Sequence, residues 1–482
     1  MSEKIFNLGR KFLKLFVKID MLYNVIMHKV KMSALRWCFV AIIFLSYLVV
    51  SCSGNSSYYL RKQLKFSTTQ HMVCTYDISQ SYQVYLPTAF VKNKKWPIVY
   101  MFDPHANGQL AIDHARDAAE RYNFILIASN NSKNNAPNID HIISILFADV
   151  ASRYPVNEKL VYAVGFSGGG RVASSIALST GKIRGIITCS AGLTDLNPVS
   201  VPHKFEVYAI AGKEDFNYEE GMSISTQLSG TGWLYTIDTF DGGHNWPANK
   251  YFDDAFLWFN LNAMRDKTIA PDSKLIDVKY NNCLSKFKHL LNDKKYIQAE
   301  AEGRKGLAFF DQLHNVRRID KEVQNIESLD GYHVEKQRES EIKNIEQQLR
   351  DGYLQRFGSG DLNWWHHEIE TLNNKLKTEQ EDMMRQMYCR VKGFLGIVCY
   401  SYTSKAIASK DLNLATKCIN IYGMVEPENT DCYFFKALLY DFKNQSDSAV
   451  LMINRAKEFG FTDTLKIREQ FSKKTLLLLK GK

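Results

Sequence analysis

The strongest constraint on this chain is a strand-like run that stops at a glycine-rich turn around a serine. Residues 160–164 are apolar, Gly165-Phe166-Ser167-Gly168-Gly169 follows at once, and residues 172–178 are compatible with a helix. A G-x-S-x-G sequence between a strand and a helix forms a sharp turn that exposes the serine hydroxyl. Side chains at the two outer glycine positions would meet neighbouring backbone. We therefore predict that Ser167 is an exposed nucleophile at the edge of a sheet.

Strand and helix patterns alternate on both sides of this turn. Strand-like runs occur at residues 77–87, 96–104, 124–129, 183–189, 205–211 and 233–240. Helix-like segments occur at residues 111–122, 139–154 and 253–260. Strands that alternate with helices predict a mostly parallel sheet that is covered by helices on both faces.

Two polar residues follow later strands and complete a possible catalytic set. A serine hydroxyl needs a base at neutral pH, and the base needs an orienting carboxylate. Asp215 follows the run 205–211, and His244 follows the run 233–240, so both are expected at the edge of the sheet that carries Ser167. The order serine, acid, histidine also occurs in known hydrolases. We predict Ser167 as nucleophile, Asp215 as orienting acid and His244 as base.

Other residues compete for the same roles. Glu214 is adjacent to Asp215, and Asp195 follows an earlier strand, so both stay open as alternative acids. Asp241 precedes a Gly-Gly turn and is expected to shape that turn. His203 precedes a strand, which places it at the opposite edge and argues against a role as base.

On these residues the chain resembles the α/β-hydrolase superfamily, and within it the polyhydroxybutyrate-depolymerase-like and esterase-D-like serine hydrolases. The matching segments are 81–87, 96–105, 165–169, 212–215 and 242–246. The resemblance implies an α/β-hydrolase fold, the triad named above and an acyl-enzyme intermediate. It implies an oxyanion hole made by the backbone N–H of Gly168 and a second one near His105 or Ala106. Many relatives read His-Gly at this loop, whereas this chain reads His-Ala-Asn-Gly, so the identity of the second donor stays open.

The first 52 residues have the pattern of an export signal. Basic residues at 29–36 precede an apolar run at 39–50, which is shorter than the roughly 20 residues of a membrane-spanning helix. The run ends in Val49-Val50-Ser51-Cys52, which resembles a bacterial lipobox. This resemblance implies lipidation of Cys52 and a lipid anchor at the bacterial cell envelope, on the periplasmic or outer-membrane face. A plain signal peptide and an uncleaved anchor are the alternatives, and Met27 or Met32 would give a leader of ordinary length.

Charged helical sequence replaces the strand patterns after residue 271. The patterns predict a helical hairpin over 280–313 and long helices over 342–356 and 364–391. The charge-dense run 335–350 is expected to form a solvated helix face. The region is therefore predicted to be entirely helical.

The end of the chain contains an internal repetition. A shift of 34 residues (449 − 415) relates three pairs of positions: Ala415 and Ala449, Ile419 and Ile453, and Pro427 and Phe461. The period resembles the tetratricopeptide repeat, and arrays of such repeats typically present a concave surface to a protein partner. A plain helical bundle is the alternative.

The composition bounds the remaining possibilities. The chain has 482 residues and a formal charge of +10, part of which lies in the leader, and no basic patch interleaved with aromatic residues suggests nucleic-acid binding. Nine cysteines without C-x-x-C pairs argue against a zinc site and a disulfide framework, and we expect no cofactor.

We predict a leader over 1–52, an α/β-hydrolase domain over 53–268, helical hairpins and long helices over 269–395, and tetratricopeptide-like repeats over 396–482.

These expectations combine into a cell-envelope serine hydrolase that cleaves a small-molecule or polymer ester. An acyl-peptide or oligopeptide hydrolase is one alternative, although the large N-terminal propeller usual in that family is not recognised here. A non-catalytic lipoprotein that binds a partner through its helices is the other. Three filled and correctly ordered triad positions favour an enzyme.

Overall fold

An eight-stranded sheet forms the centre of the N-terminal half of the molecule. The computed structural model describes residues 67–194, 201 and 203–480. The strands are β1 (Thr69–Val73), β2 (Ser81–Tyr85), β3 (Trp96–Phe102), β4 (Ile125–Ser129), β5 (Val156–Phe166), β6 (Gly185–Cys189), β7 (Glu206–Gly212) and β8 (Tyr235–Phe240).

The strand order in the sheet is β1-β2-β4-β3-β5-β6-β7-β8. β2 runs antiparallel to both of its neighbours, and the strands from β4 to β8 pair in parallel. Every residue of β4, β6 and β7 is buried, as expected for parallel strands covered on both faces. The chain therefore has the α/β-hydrolase fold that the sequence predicted.

Five helices belong to the sheet region: α1 (Gly108–Tyr122), α2 (Ile139–Arg153), α3 (Gly168–Thr180), α4 (Tyr218–Leu228) and α5 (Asn249–Arg265). α1 and α5 share one hydrophobic core with the sheet, in which Phe252, Phe256 and Phe259 are completely buried. Each such side chain contributes about 2–3 kcal/mol of burial energy. This packing fixes the strands whose ends carry the predicted site.

Helices alone make up the described chain after α5. They are α6 (Ser273–Asn292), α7 (Tyr296–Phe310), α8 (Arg317–Glu327), α9 (Asp330–Ser359), α10 (Leu362–Thr378), α11 (Asp382–Ala408), α12 (Leu412–Val425), α13 (Thr430–Phe442), α14 (Ser446–Glu458), α15 (Thr464–Gln470) and α16 (Lys473–Lys480). The all-helical prediction for this region is confirmed. Over the part of the chain that the structure describes, no helix combines the length and the apolar character needed to cross a membrane.

The helices divide between two hydrophobic cores. α6, α7 and α8 pack into the core of the sheet, whereas the side chains from Ile342 to Phe471 form a second core. A half-buried lysine strengthens the first junction, because Lys305 of α7 donates to Asp238 of β8 at 2.6 Å and to Asp254 of α5 at 2.7 Å. The domain bounds set at residues 268 and 395 stay predictions.

Two expectations about the helices are wrong. The helix predicted over 364–391 is two helices, α10 and α11, because Glu379 and Glu381 are extended and Glu381 pairs with Arg338 of α9. The charge-dense run 335–350 is not wholly solvated, since Glu346 is only 2% exposed. Ion pairs between helices, which sequence periodicity does not register, cause both differences.

The internal repetition has a structural counterpart. α12 and α14 begin 34 residues apart (446 − 412), and Ala415 and Ala449 occupy the same position in the two helices. Both alanines are completely buried. The tetratricopeptide assignment itself stays a prediction, as do the leader, Cys52 and the alternative acid Asp195, which lie outside the described residues.

Candidate active site

Ser167 lies in a strained turn between β5 and α3. Its backbone has φ 52° and ψ −121°, which is rare for a residue with a side chain. A Cβ added to Gly165 would lie 2.0 Å from the carbonyl oxygen of Gly169, and one added to Gly169 would lie 2.0 Å from that of Phe102. The Ser167 N–H donates to the carbonyl of Cys189 of β6 at 2.8 Å. The two glycines and this bond hold the serine at the carboxyl ends of the central strands.

The structure brings Ser167, His244 and Asp215 together in one chain of hydrogen bonds. His244 Nε2 lies 2.9 Å from Ser167 Oγ, and His244 Nδ1 lies 2.9 Å from Asp215 Oδ1 and 3.1 Å from Oδ2. A carboxylate only accepts, so Nδ1 carries the proton of the neutral imidazole. Nε2 is then the acceptor for the serine hydroxyl, which is the arrangement that general-base activation requires.

A short loop after β7 holds the carboxylate. We call residues 213–217 the acid loop. Asp215 is completely buried, and Oδ1 also accepts the N–H of Asn217 at 2.8 Å. The Glu214 N–H donates to the carbonyl of Gly242 at 2.9 Å, which ties the acid loop to the loop of His244. The ring of Phe216 packs against the imidazole of His244, with centroids 4.3 Å apart. The fold thus fixes acid and base relative to each other.

The described alternatives lie outside this chain of bonds. The Glu214 side chain is 30% exposed and faces Arg385 at 3.7 Å. Asp241 is 82% exposed and binds Lys213, whose hydrogen bond and charge lower the pKa of the Asp241 carboxyl. His203 contacts Gly181 at the far end of α3, about 20 Å from Ser167 given 1.5 Å per residue over 13 residues. None of the three therefore takes part in the hydrogen bonds between Ser167, His244 and Asp215.

The loop after β3 differs from the expectation about its N–H groups. The His105 N–H donates to Asp103 Oδ1 at 2.8 Å, and the Ala106 N–H donates to the carbonyl of Asp103 at 2.9 Å. Asp103 is buried, and its Oδ2 accepts the indole N–H of Trp246 at 2.8 Å. In this conformation both predicted second donors are already bonded, so neither is offered to an oxyanion. Gly168, as the first residue of α3, has an N–H without a partner inside the helix.

Asn134 lies next to the site, and the sequence analysis did not single it out. Its carboxamide lies against Gly168, where an added Cβ would be 1.9 Å from Asn134 Oδ1 and 3.0 Å from Nδ2. The Asn134 N–H donates to the carbonyl of Pro104 at 2.8 Å, which places this loop beside the loop of His105. A carboxamide can donate through its nitrogen to a developing oxyanion. No sequence signal distinguished Asn134 from the other asparagines of the polar run 130–135.

Nothing at the site calls for a metal. Among residues 67–194, 201 and 203–480, no group of three or more histidine, cysteine, aspartate or glutamate side chains could hold a metal ion.

Comparison with known proteins finds similarity to solved structures at low identity. No protein-family model and no curated protein matches the chain. Similar solved structures include an S-formylglutathione hydrolase (FrmB) from Staphylococcus aureus, with 14% identity over 41% of this chain and 98% of that chain and a TM-score of 0.33. An esterase from Pyrobaculum calidifontis has 13% identity over 43% of this chain and 91% of that chain (TM-score 0.34). A ferulic acid esterase from Anaeromyces mucronatus has 14% identity over 39% and 88%, respectively (TM-score 0.32). At these identities and TM-scores the matches carry no argument about the activity of this chain.

Proposed function

We propose that this chain is a serine hydrolase that cleaves an ester through Ser167, His244 and Asp215. The observation that carries the proposal is the continuous set of hydrogen bonds from Ser167 Oγ through His244 to the buried Asp215. A scaffold without catalysis has no need for the strained backbone of Ser167. This strain, together with the aligned base and acid, favours an enzyme over a binding protein.

The geometry supports a two-step reaction. His244 Nε2 removes the proton of Ser167 while Oγ attacks the ester carbonyl carbon, and the resulting imidazolium is stabilised by Asp215. As the tetrahedral adduct collapses, the imidazolium protonates the leaving alcohol and an acyl-serine remains. His244 then takes a proton from water, the hydroxide attacks the acyl carbon, and the proton returns to Ser167 as the acid is released.

We propose two donors for the negative charge of the tetrahedral adduct. The first is the backbone N–H of Gly168, and the second is the Asn134 carboxamide that lies against this residue. Each such donor is typically worth about 3 kcal/mol of transition-state stabilisation. The Asn134 assignment replaces the N–H groups of His105 and Ala106, which are bonded to Asp103.

The remaining parts of the function rest on sequence features. The lipobox-like sequence supports lipidation of Cys52 and a place in the cell envelope. The 34-residue period supports a protein partner on the helical region. The ester class rests on the resemblance of segments 81–87, 96–105, 165–169, 212–215 and 242–246 to esterase-D-like hydrolases.

A fluorophosphonate probe tests the activity directly. The full-length protein should label covalently at Ser167, and Ser167→Ala should abolish labelling. Ser175→Ala, which changes an exposed serine of the same helix, is the matched control and should label like the wild type. Folded wild type that does not label would overturn the proposal. If labelling succeeds, p-nitrophenyl esters and chromogenic peptides then separate an esterase from a peptidase.

A further inference from the structure

Two arginines of the helical region donate to the backbone of the acid loop. Arg390 Nη1 of α11 donates to the carbonyl of Lys213 at 2.8 Å, and Arg350 Nη2 of α9 donates to the carbonyl of Phe216 at 3.0 Å. These carbonyls stand on the two sides of Asp215 in the sequence. The segment that carries the acid is therefore held at both ends by residues more than 130 positions further along the chain.

One carboxylate fixes both arginines. Glu346 Oε2 accepts from Arg390 Nε at 2.8 Å and from Nη2 at 2.6 Å, while Oε1 pairs with Arg350 Nη2 at 2.6 Å. Arg390 is 6% exposed and Glu346 is 2% exposed. A buried carboxylate between two guanidinium groups restricts the orientation of both guanidinium groups. We call Glu346, Arg350 and Arg390 the brace.

Contacts with aromatic rings continue from the brace to the base. The Arg390 guanidinium lies over the ring of Tyr218, 4.9 Å from its centroid. Gly393, one turn further along α11, is close enough to Phe216 that an added Cβ would lie 3.3 Å from the ring. Phe216 in turn packs against the imidazole of His244. The acid loop that the brace holds therefore contains the acid, Asp215, and contacts the base, His244.

The bonds inside the sheet region do not replace the brace. The Asp215 N–H donates to Gly212 and the Glu214 N–H donates to Gly242, so these bonds fix N–H groups of the acid loop. The brace instead binds two carbonyl groups of the acid loop, those of Lys213 and Phe216. Among the described residues, no guanidinium of the sheet region bonds to these two carbonyl groups. Small displacements of a catalytic group change rates strongly, by roughly 100-fold for about 1 Å.

We propose that Arg390, together with Arg350 and Glu346, positions Asp215 and thereby sets the reactivity of Ser167. The helical region is then a working part of the hydrolase as well as a surface for a partner. This inference rests on the proposed function. The three residues touch no substrate, and they act through the acid loop.

Arg390→Met tests the inference in the full-length protein. The readouts are the rate constant for fluorophosphonate labelling, and kcat and KM for p-nitrophenyl acetate. We expect kcat and the labelling rate to fall about 10- to 100-fold while KM changes less than about threefold, since an interaction that serves only the transition state is lost. Arg338→Met is the matched control, because Arg338 pairs with Glu381 between the same two helices and away from the acid loop. It should stay within about twofold of the wild type.

A double-mutant comparison separates a positioning role of Arg390 from a general loss of structure. If Arg390 acts through Asp215, then Arg390→Met should lower the rate by less than about twofold in an Asp215→Asn background. A loss of equal size in both backgrounds would overturn the inference, and so would a rate for Arg390→Met equal to that of the Arg338→Met control. Arg350→Met removes the bond to Phe216, one ion pair and the contact of the guanidinium with the Phe394 ring, and it carries the same test if Arg390→Met does not fold. Wild type that does not label would instead overturn the proposed function.

Discussion

Replacing Asp215 by asparagine is the sharpest test of the site. The substitution keeps the size of the side chain and changes one acceptor into a donor. In the wild type, Asp215 Oδ1 accepts the N–H groups of His244 and Asn217, and Asp215 Oδ2 lies 3.1 Å from His244 Nδ1. When the oxygen of the new carboxamide accepts the Asn217 N–H, the NH2 group of the carboxamide lies beside His244 Nδ1. That group donates to an unprotonated Nδ1, which moves the ring proton to Nε2.

The expected loss follows from this exchange of tautomers. An imidazole with its proton on Nε2 cannot accept the proton of Ser167, so general-base activation is lost while the rest of the site stays intact. A loss of roughly 10⁴ in kcat is typical of this change, and at about 1.36 kcal/mol per factor of ten it corresponds to about 5.5 kcal/mol. KM should change little, since Asp215 is completely buried and has no exposed surface to offer a substrate.

The assay is steady-state hydrolysis of p-nitrophenyl acetate, with circular dichroism to confirm the fold. Glu214→Gln, at a half-buried position, and Asp241→Asn, at an exposed one, are matched carboxyl-to-amide controls, and both should stay within about threefold of wild type. A Glu214→Gln variant that loses activity while Asp215→Asn retains it would refute the assignment of the acid. Equal, moderate losses in both would refute the tautomer argument.

Three further outcomes follow from other features. Asn134→Ala should lower kcat about 100-fold with little change in KM if its carboxamide holds the oxyanion, and unchanged kinetics would exclude it. Ala106 has φ 58°, so Ala106→Gly should raise the free energy of unfolding in urea by about 0.5–1 kcal/mol, whereas Ala118→Gly inside α1 should lower it. Burial raises the pKa of Glu206 to about 7 from 4.5, so its contribution to stability is present below pH 4.5 and lost as the pH rises through 7. Urea unfolding should therefore show that Glu206→Gln gains stability relative to wild type as the pH rises from 4.5 to 8, and a pH-independent difference would contradict this.

The sheet and the positions of Ser167, Asp215 and His244 could be predicted because their signals are local. Apolar runs of strand length are interrupted by turns, and in a parallel sheet the ends of such runs meet at one edge. Whether the three side chains form hydrogen bonds depends on loop conformations, and only the structure shows their distances. The short edge strand β1 and the polar helix α4 were missed because neither has a strong periodic pattern.

The hydrogen bonds of the His105 loop and of the brace could not be predicted, for a different reason. The N–H groups of His105 and Ala106 are bonded because the Asp103 side chain turns back onto its own loop. Glu346 reads as one more charge on a polar helix until Arg390, 44 residues later, is placed beside it. Such pairings depend on tertiary contacts that no pattern within a single helix encodes.

The brace also affects when the chain can become active during its synthesis. The last helix of the sheet region ends at Arg265, and Arg390 follows 125 residues later (390 − 265). At about 5–20 residues per second, a ribosome needs roughly 6–25 s for this stretch. Arg350 follows Arg265 by 85 residues (350 − 265), so the acid loop lacks both arginines at first and lacks the Arg390 bond to Lys213 throughout the interval. A nascent or truncated chain that ends before α11 would therefore carry all three triad residues and still be a slow enzyme, so that full hydrolytic activity arises only once α11 has been made.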